Sequence, residues 1–402
     1  MILSTEGALP EGKRLDTLAL FAALSLFFSI IELLIPKPIP FLRIGLANLP
    51  LLAALTFLST REFLLLVVLK IFGQAIVTGS LLSYVFLFSA VGSLTSGVLM
   101  LALRQLYPRS ISMIGISVAG AFGSSGAQLL FASWFIFGSS TRLIVPPFLI
   151  MGMVTGTLLG TAAELMLRHS RWLAHYIKTP ASQPGGGEAA VPGEKEKTSV
   201  TRHDLFLLLA GLAMIPPFIL QSSLTIKILQ TLLIIFYGAA LGKRIRLLPG
   251  FIVLAGVCAA SLIQPVGEVL FYIGTFPISR GALRQGLSRG LNLIGMVYLS
   301  RCAISARLRI PGKAGQLMYR VFFYFEELSS LRLQKESSGN LLRSLRRKLI
   351  QLDDYLLEWS LGGRGIDRGA AEKMRKKPRT LWGLPLFILL SHWILFFLFK
   401  FG

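Results

Sequence analysis

The sequence predicts an all-α, polytopic membrane protein, and three observations lead to this class. Hydrophobic residues make up 53% of the 402 residues and charged residues only 15%, whereas soluble chains carry about 25% charged residues. The mean hydropathy is +0.68. Apolar stretches repeatedly reach the ~20 residues that a helix needs to cross a bilayer. Together these observations exclude a soluble globular domain.

The apolar stretches fall into two groups separated by a polar tract. Six predicted spans precede the tract, at about 17–35, 41–58, 62–80, 81–103, 111–137 and 144–167. Four follow it, at about 204–222, 226–242, 248–274 and 282–300, and a last one covers 381–399. The tract itself is rich in Gly, Pro, Glu and Lys and predicts a flexible linker. We therefore predict five parts: a six-span domain 1–178, a linker 179–202, a four-span domain 203–300, a basic cytoplasmic helical region 301–380, and a C-terminal span 381–402.

The first span predicts an uncleaved membrane helix. It follows Lys13 and Arg14, as a signal sequence would, but it runs into Pro36 without a small-residue cleavage site.

The distribution of basic residues predicts the orientation. With the N-terminus inside, 32 of the 41 Lys and Arg residues lie on the cytoplasmic side, 14 before residue 301 and 18 within 301–380. Cytoplasmic loops carry an excess of Lys and Arg, so this orientation is favoured over its inverse. We expect a multi-pass protein of the cytoplasmic (inner) membrane. We expect anionic lipid headgroups to be the partner of its net charge of +22. The chain has no nucleic-acid motif, so we expect no nucleic-acid partner.

Enzyme and metal signatures are missing from the sequence. Cys258 and Cys302 have neither metal-ligand nor disulfide spacing, and the four histidines are scattered. There is no Gly-rich phosphate loop followed by Lys and Ser or Thr. Asp353 and Asp354 form one adjacent acidic pair, whereas prenyl transfer needs two acidic clusters to hold magnesium against a diphosphate. We therefore expect no catalytic residue, no metal site and no covalently bound cofactor.

Polar residues inside the predicted spans point to a solute pocket. The stretch FLRIGLANLP, residues 41–50, brings Arg43 and Asn48 to the start of the second span. Lys70 and Gln74 lie one helical turn apart in the third. Ser124 and Gln128 have the same spacing in the fifth. A few donors and acceptors in an apolar cavity are typical of a binding site. The alternatives are hydrogen bonds between helices and, for Arg43, an interfacial side chain that reaches the headgroups.

In the second domain the polar residues within spans are Gln264, Glu268, Arg289 and Asn292.

Small residues predict close helix packing. Gly152, Gly156 and Gly160 recur every fourth residue in the sixth span, and Ala19 and Ala23 have the same spacing in the first. Such stripes let a neighbouring backbone approach closely.

The region 301–380 contains a predicted amphipathic helix with a leucine stripe and basic residues off that stripe. The stripe consists of Leu342, Leu345, Leu349, Leu352 and Leu356. It could pack on its own domain, lie on the membrane, or fill a partner's groove.

The order of FLRIGLANLP, LKIFGQAIVTGSLLSYVFLFSAVGSLTSGVLM, GISVAGAFGSSGAQLLFA and the glycine-striped sixth span resembles the heptaprenyl diphosphate synthase component I proteins. That family is also called the Gx transporter family and is related to the substrate-binding S components of energy-coupling-factor (ECF) vitamin transporters. The resemblance covers about residues 15–178. Family members often carry His-Asn where this chain has Ser124-Ser125.

The resemblance implies a fold of two modules: a six-helix S-component-like bundle, and a second module of four to five spans with cytoplasmic amphipathic helices. It implies that Ala19 and Ala23 dock onto a T component, the membrane scaffold of such transporters. Residues 203–330 resemble a T component more weakly, and this implies a coupling role for Arg301, Arg307 and Arg309. The Ala-Arg-Gly motifs that engage ATPases are not found.

We therefore predict a component for uptake of a vitamin-like or cofactor-precursor-like small molecule. ATP would be used only by separate ABC-type ATPase subunits. The alternatives are a membrane subunit of heptaprenyl (polyprenyl) diphosphate synthesis, as the family name says, and a non-transporting membrane scaffold.

Overall fold

The computed structural model of the protein describes residues 11–34, 45–138, 141–178, 202–243, 247–262, 267–273, 276–304, 312–330, 350–358 and 383–400. Nearly all of these residues are helical, which confirms the predicted all-α class.

The helices of the first half are α1 (Glu11–Leu34), α2 (Leu49–Ala54), α3 (Thr60–Thr78), α4 (Tyr84–Arg104), α5 (Met113–Ala132), α6 (Thr141–His169) and α7 (Arg171–Lys178). A 3₁₀ turn, Leu46–Asn48, precedes α2, and a π-helical turn, Ser133–Phe137, follows α5.

The second half contains α8 (Arg202–Ile219), α9 (Leu224–Ala240), α10 (Leu247–Leu262), β1 (Val269–Ile273), β2 (Phe276–Ser279), α11 (Arg280–Ala303) and α12 (Gly312–Ser330). A short helix α13 covers residues 350–358, and α14 spans Gly383–Lys400.

The protein has helices that suit a bilayer. Within the part of the chain that the structure describes, four stretches are long and apolar enough to cross a membrane: Arg14–Glu32, Tyr84–Arg104, Met113–Phe135 and Ile144–His169. Four shorter apolar helices follow: Leu205–Ile219, Leu224–Ala240, Leu247–Leu262 and Gly383–Phe399. Many large apolar side chains on α4, α6, α9 and α14 are exposed, as expected where lipid replaces water. The chain is a membrane protein.

Helix α1 lies at the centre of the first half. Its residues from Leu18 to Leu24 are almost fully buried, and it packs against α2, α3 and α12. Phe21 contacts the rings of Phe57 and Trp172 at centroid distances of 5.2 and 5.7 Å. A helix that is apolar all round lies in a protein core or in a membrane, and the neighbouring helices cover the apolar residues of α1.

The second predicted span, 41–58, is not a continuous helix in its described part. Gly45 adopts a left-handed φ of 83°, α2 is six residues long, and the chain turns at Thr56 and Phe57. Glycine tolerates that backbone conformation. Residues 35–44, including three prolines, lie outside the described structure.

The third predicted span of the second half, 248–274, is also corrected. Helix α10 ends at Leu262, and β1 pairs with β2 as an antiparallel hairpin with Ile273 opposite Phe276. The run VLFYI of β1 consists of β-branched, aromatic and leucine residues that suit a strand, and Gly267 precedes it with a left-handed φ of 82°. Hydropathy alone does not separate such a run from a helix end.

The glycines of α6 bring it against α5. A β-carbon at Gly160 would lie 2.5 Å from Ile114 Cα, and one at Gly156 would lie 2.9 Å from Val118 Cα. At Gly152 the nearest atom would be Ser125 Oγ at 2.6 Å. Any larger residue would force the two backbones apart.

We expect Gly160→Ala to destabilise the protein by about 1–3 kcal/mol, the usual cost of overpacking. Thermal unfolding of the purified protein in detergent measures the change. Gly126→Ala on α5 is the matched control, because a β-carbon there meets nothing within 4 Å. Equal melting temperatures for the two variants would contradict the close approach.

The two halves meet in a way that the predicted topology does not allow. The Leu82 N–H donates to Ser300 Oγ at 2.9 Å, and a β-carbon at Gly79 would lie 3.3 Å from Arg301 Cγ. The predicted map puts the α3–α4 turn outside and Arg301 inside, separated by a hydrocarbon core of ~30 Å. The α3–α4 turn and the end of α11 instead lie at the same depth, so the predicted side of the membrane is wrong for at least one of them.

Cysteine labelling locates each segment. In a chain without Cys258 and Cys302, single cysteines at positions 190 and 340 are expected to be shielded from an impermeant reagent added to intact cells, and one at position 140 is expected to react. The contact with Ser300 predicts that a cysteine at Leu82 is shielded together with position 340. Labelling at 190 from outside would overturn the orientation, and labelling at 82 with shielding at 340 would contradict the contact.

Candidate functional site

A cluster of polar side chains, which we call the Lys70 cluster, is centred on α3 and includes side chains of α1, α4 and the 3₁₀ turn. Lys70 of α3 is only 4% exposed. Its Nζ donates to Asn48 Oδ1 and, at 3.4 Å, to Ser93 Oγ of α4. An ammonium group loses several kcal/mol of hydration on burial, so these oxygens are positioned to offset part of that loss.

Glu32 of α1 holds the 3₁₀ turn that carries Asn48. The Glu32 carboxylate is 7% exposed, and its Oε2 accepts from the backbone N–H groups of Gly45 at 3.1 Å and Leu46 at 2.9 Å. These N–H groups begin the turn and have no helical acceptor. Glu32 is therefore a positioning residue that fixes Asn48 beside Lys70.

Gln74 extends the cluster by one turn along α3. Its Nε2 donates to Ser29 Oγ of α1 at 2.9 Å. Ser29 lies three residues before Glu32, so α1 supports the cluster at two successive turns.

Gln128 and Ser124 of α5 lie against α4, next to this cluster. Gln128 Nε2 donates to Ser124 Oγ at 3.0 Å. A β-carbon at Gly92 would lie 2.1 Å from Gln128 Nε2 and 2.7 Å from Ser124 Oγ. Gly92 thus makes room for the α5 amide directly beside Ser93, the residue that contacts Lys70.

The arrangement combines the Lys70 ammonium group and the Glu32 carboxylate with amides and hydroxyls. Lys70 is buried, whereas Asn48, Gln74, Ser93 and Gln128 each retain partial exposure. Such a set can bind a small polar molecule by charge-assisted and neutral hydrogen bonds. Within the described residues, no group of three or more His, Cys, Asp or Glu side chains could hold a metal ion.

The predicted site residues separate into three outcomes. The structure brings together Asn48 and Lys70, and it places Gln74, Ser124 and Gln128 in the same region. Arg43 lies outside the described residues, so its prediction stays open. The sequence did not point to Ser29 or Ser93, because single serines in apolar helices carry no signal by themselves.

The described residues among the predicted interface and coupling residues pack against other helices of the same chain. Ala19 and Ala23 are fully buried on the helix that packs against α12. The glycines of α6 pack against α5, inside the first half. Arg301 packs against Gly79, and its backbone carbonyl accepts from Lys243 Nζ. Arg307 and Arg309 lie outside the described residues.

Comparison with known proteins matches two parts of the chain. Residues 21–166 match the family model described as heptaprenyl diphosphate synthase component I. Residues 203–306 match a domain of unknown function, DUF8519. Neither a curated protein nor a solved structure matches the chain. The two matched segments coincide with the two groups of membrane helices.

Proposed function

We propose, from the premise that residues 21–166 belong to the heptaprenyl diphosphate synthase component I family, that this protein is a membrane component for uptake of a small polar molecule. The observation that carries the proposal is the Lys70 cluster. A buried ammonium group is expensive at membrane depth and marks substrate and ion pathways. The cluster offers a solute one cation, two carboxamides besides Asn48, and several hydroxyls.

The chemistry of the cluster favours a solute with an anionic or amide-bearing group. A hydrogen bond from an ionised donor is roughly twice as strong as a neutral one, so Lys70 would dominate affinity. The amides of Gln74 and Gln128 would then select shape and orientation. A vitamin-like or cofactor-precursor-like molecule fits this description.

The second module would act as the scaffold that links binding to energy supply. Helix α12 packs along α1 and contributes Leu317, Val321 and Leu328 to the core of the first half. Arg320 Nη1 of α12 pairs with Asp16 Oδ1 of α1 at 2.6 Å. Asp353 of α13 accepts from Ser170 Oγ and, at 2.9 Å, from the Arg171 N–H. Two helices of the region 301–380 therefore hold the solute-binding module at its α1 and α7 ends.

The protein would work in the cytoplasmic membrane with its N-terminus inside, and separate ATPase subunits would supply the energy. Purification in mild detergent tests this assignment. An ATP-hydrolysing subunit is expected to co-purify, with ATPase activity that depends on the wild-type contact between Asp16 and Arg320. Purification of the chain without any ATPase, under conditions that keep the Asp16–Arg320 contact, would count against the energised transporter.

The family name favours a second function, a membrane subunit of polyprenyl diphosphate synthesis. This role would need the magnesium-binding acidic clusters from a partner subunit. Formation of isoprenoid products in a reconstituted assay that requires this chain would support it, and an unchanged yield without the chain would exclude it.

A further inference from the structure

A second buried polar cluster lies between α9 and α11, far along the sequence from Lys70. Lys227 of α9 is 2% exposed, and its Nζ donates to Ser288 Oγ of α11 at 3.2 Å. Gln230 of α9 is fully buried, and its Nε2 donates to the His392 carbonyl of α14 at 3.4 Å. This cluster, with Asn292 of α11, is called the Lys227 cluster below.

The Lys227 ammonium group has a neutral partner in the described structure. Residues 202–304 contain two carboxylates, those of Asp204 and Glu268. The backbone of Asp204 is in the first turn of α8, about 22 Å along the helix from its end at Ile219 at ~1.5 Å per residue. Glu268 is exposed and lies just before β1. Its carbonyl accepts a hydrogen bond from the N–H of Arg280 at the start of α11. Ser288 lies about 12 Å further along that helix. Burial of an ammonium group beside a hydroxyl alone costs several kcal/mol.

Two carboxamide oxygens of the same cluster have no hydrogen-bond partner among the described residues. Gln230 Oε1 and Asn292 Oδ1 are both buried and unsatisfied. Gln230 lies about one turn beyond Lys227 on α9, and Asn292 lies about one turn beyond Ser288 on α11, so both are close to the Lys227–Ser288 contact. Ser288 and Asn292 are one turn apart and share a face of α11. Unsatisfied buried polar atoms are rare in proteins and require an explanation.

We propose that the Lys227 cluster is a binding site for a phosphate group. Inorganic phosphate and phosphate monoesters carry oxygens that accept from the Lys227 ammonium and the Ser288 hydroxyl. A protonated phosphate also carries a P–O–H that donates to Gln230 Oε1 or Asn292 Oδ1. Chloride and sulfate accept equally well but donate nothing, so they leave both amide oxygens unpaired. The site is independent of the solute proposed for the Lys70 cluster.

Phosphate binding to the full-length chain tests the site. The protein is purified in detergent without phosphate, and inorganic phosphate or sulfate is titrated by calorimetry. We expect saturable phosphate binding, with sulfate at least about 10-fold weaker because each unsatisfied acceptor carries a desolvation penalty. Lys227→Gln is expected to weaken phosphate binding about 10–100-fold, the effect of a hydrogen bond to a charged group. Lys313→Gln, which alters an exposed lysine of α12, should leave it unchanged.

Two further variants separate a loss of phosphate binding from a loss of folding. Ser288→Ala keeps the lysine and should weaken phosphate binding about 2–10-fold, the effect of a neutral hydrogen bond. Asn292→Leu should reduce the preference for phosphate over sulfate, because it removes one of the two acceptors for the P–O–H. The proposal is overturned if phosphate does not bind saturably, if sulfate binds as tightly, or if Lys227→Gln and Ser288→Ala bind phosphate as the wild type does.

Nanodiscs of different lipid composition distinguish a lipid headgroup from free phosphate as the ligand of this site. In nanodiscs that contain phosphatidic acid, a lipid headgroup in the site would block inorganic phosphate, whereas nanodiscs of phosphatidylcholine would leave it accessible. Blocking assigns the site to a membrane phosphomonoester. Equal phosphate binding in both nanodiscs assigns it to a free phosphate. Either result requires the same dependence on Lys227.

Discussion

Replacing Lys70 by methionine is expected to weaken solute binding about 10–100-fold, which corresponds to the ~1.5–3 kcal/mol of a hydrogen bond to a charged group. Methionine keeps the length of the side chain and removes the ammonium that contacts Asn48 and Ser93. The molecule that wild-type protein retains during purification can be released by denaturation, identified by mass, and titrated back onto both proteins.

The structural role of Lys70 is separated from its binding role by thermal unfolding. Methionine removes the ammonium group together with its desolvation cost, and the partly exposed Asn48 amide can rehydrate. We therefore expect only a small change in the melting temperature of Lys70→Met, although its affinity for the solute falls strongly. A large loss of stability with unchanged affinity of the folded fraction would show that Lys70 only supports the fold. Lys313→Met provides the control for removal of a lysine.

Adding bulk at Ala19 and Ala23 together is expected to separate the two halves of the chain. Both side chains are fully buried, and at ~100° per residue they lie about 60° and 20° around α1 from Asp16, the partner of Arg320 on α12. Overpacking costs about 1–3 kcal/mol per site, so Ala19→Leu with Ala23→Leu removes about 2–6 kcal/mol from the contact with α12 and α3.

A protease site placed in 179–201 allows the measurement on intact protein. After cleavage, the wild-type halves should stay together during gel filtration, and the double variant should release them. Ala102→Leu on the exposed side of α4 should behave as wild type. Co-elution of the halves in the double variant would show that the α1–α12 contact tolerates the added bulk and does not hold the modules together.

The part of the site that the sequence predicted is the part built from helical spacing. Lys70 and Gln74, and Ser124 and Gln128, lie on common faces because residues four apart are neighbours on a helix. Asn48 was identified by its polar character in an apolar stretch. Its position beside Lys70 depends on Glu32, whose carboxylate binds the backbone of the 3₁₀ turn. That contact joins residues 13 and 14 positions apart across an irregular segment, and no local pattern encodes it.

The regular helical features of the fold were also predictable from the sequence, whereas its irregular and long-range features were not. The helical class follows from composition and from the length of the apolar stretches. The short α2 and the hairpin after Leu262 were missed because hydropathy does not distinguish a helix from a strand in a run such as VLFYI. The level of the Leu82–Ser300 contact was also missed, since the positive-inside rule assigns each loop a side but does not place two packed modules relative to each other.

Native mass spectrometry of the gently purified chain tests the proposed binding function most directly. We expect the wild-type protein to carry a discrete small molecule, Lys70→Met to lose it, and Lys313→Met and Lys227→Gln to keep it. A bare wild-type protein, or the same retained mass in wild type and Lys70→Met, would contradict the assignment of the Lys70 cluster as the solute site.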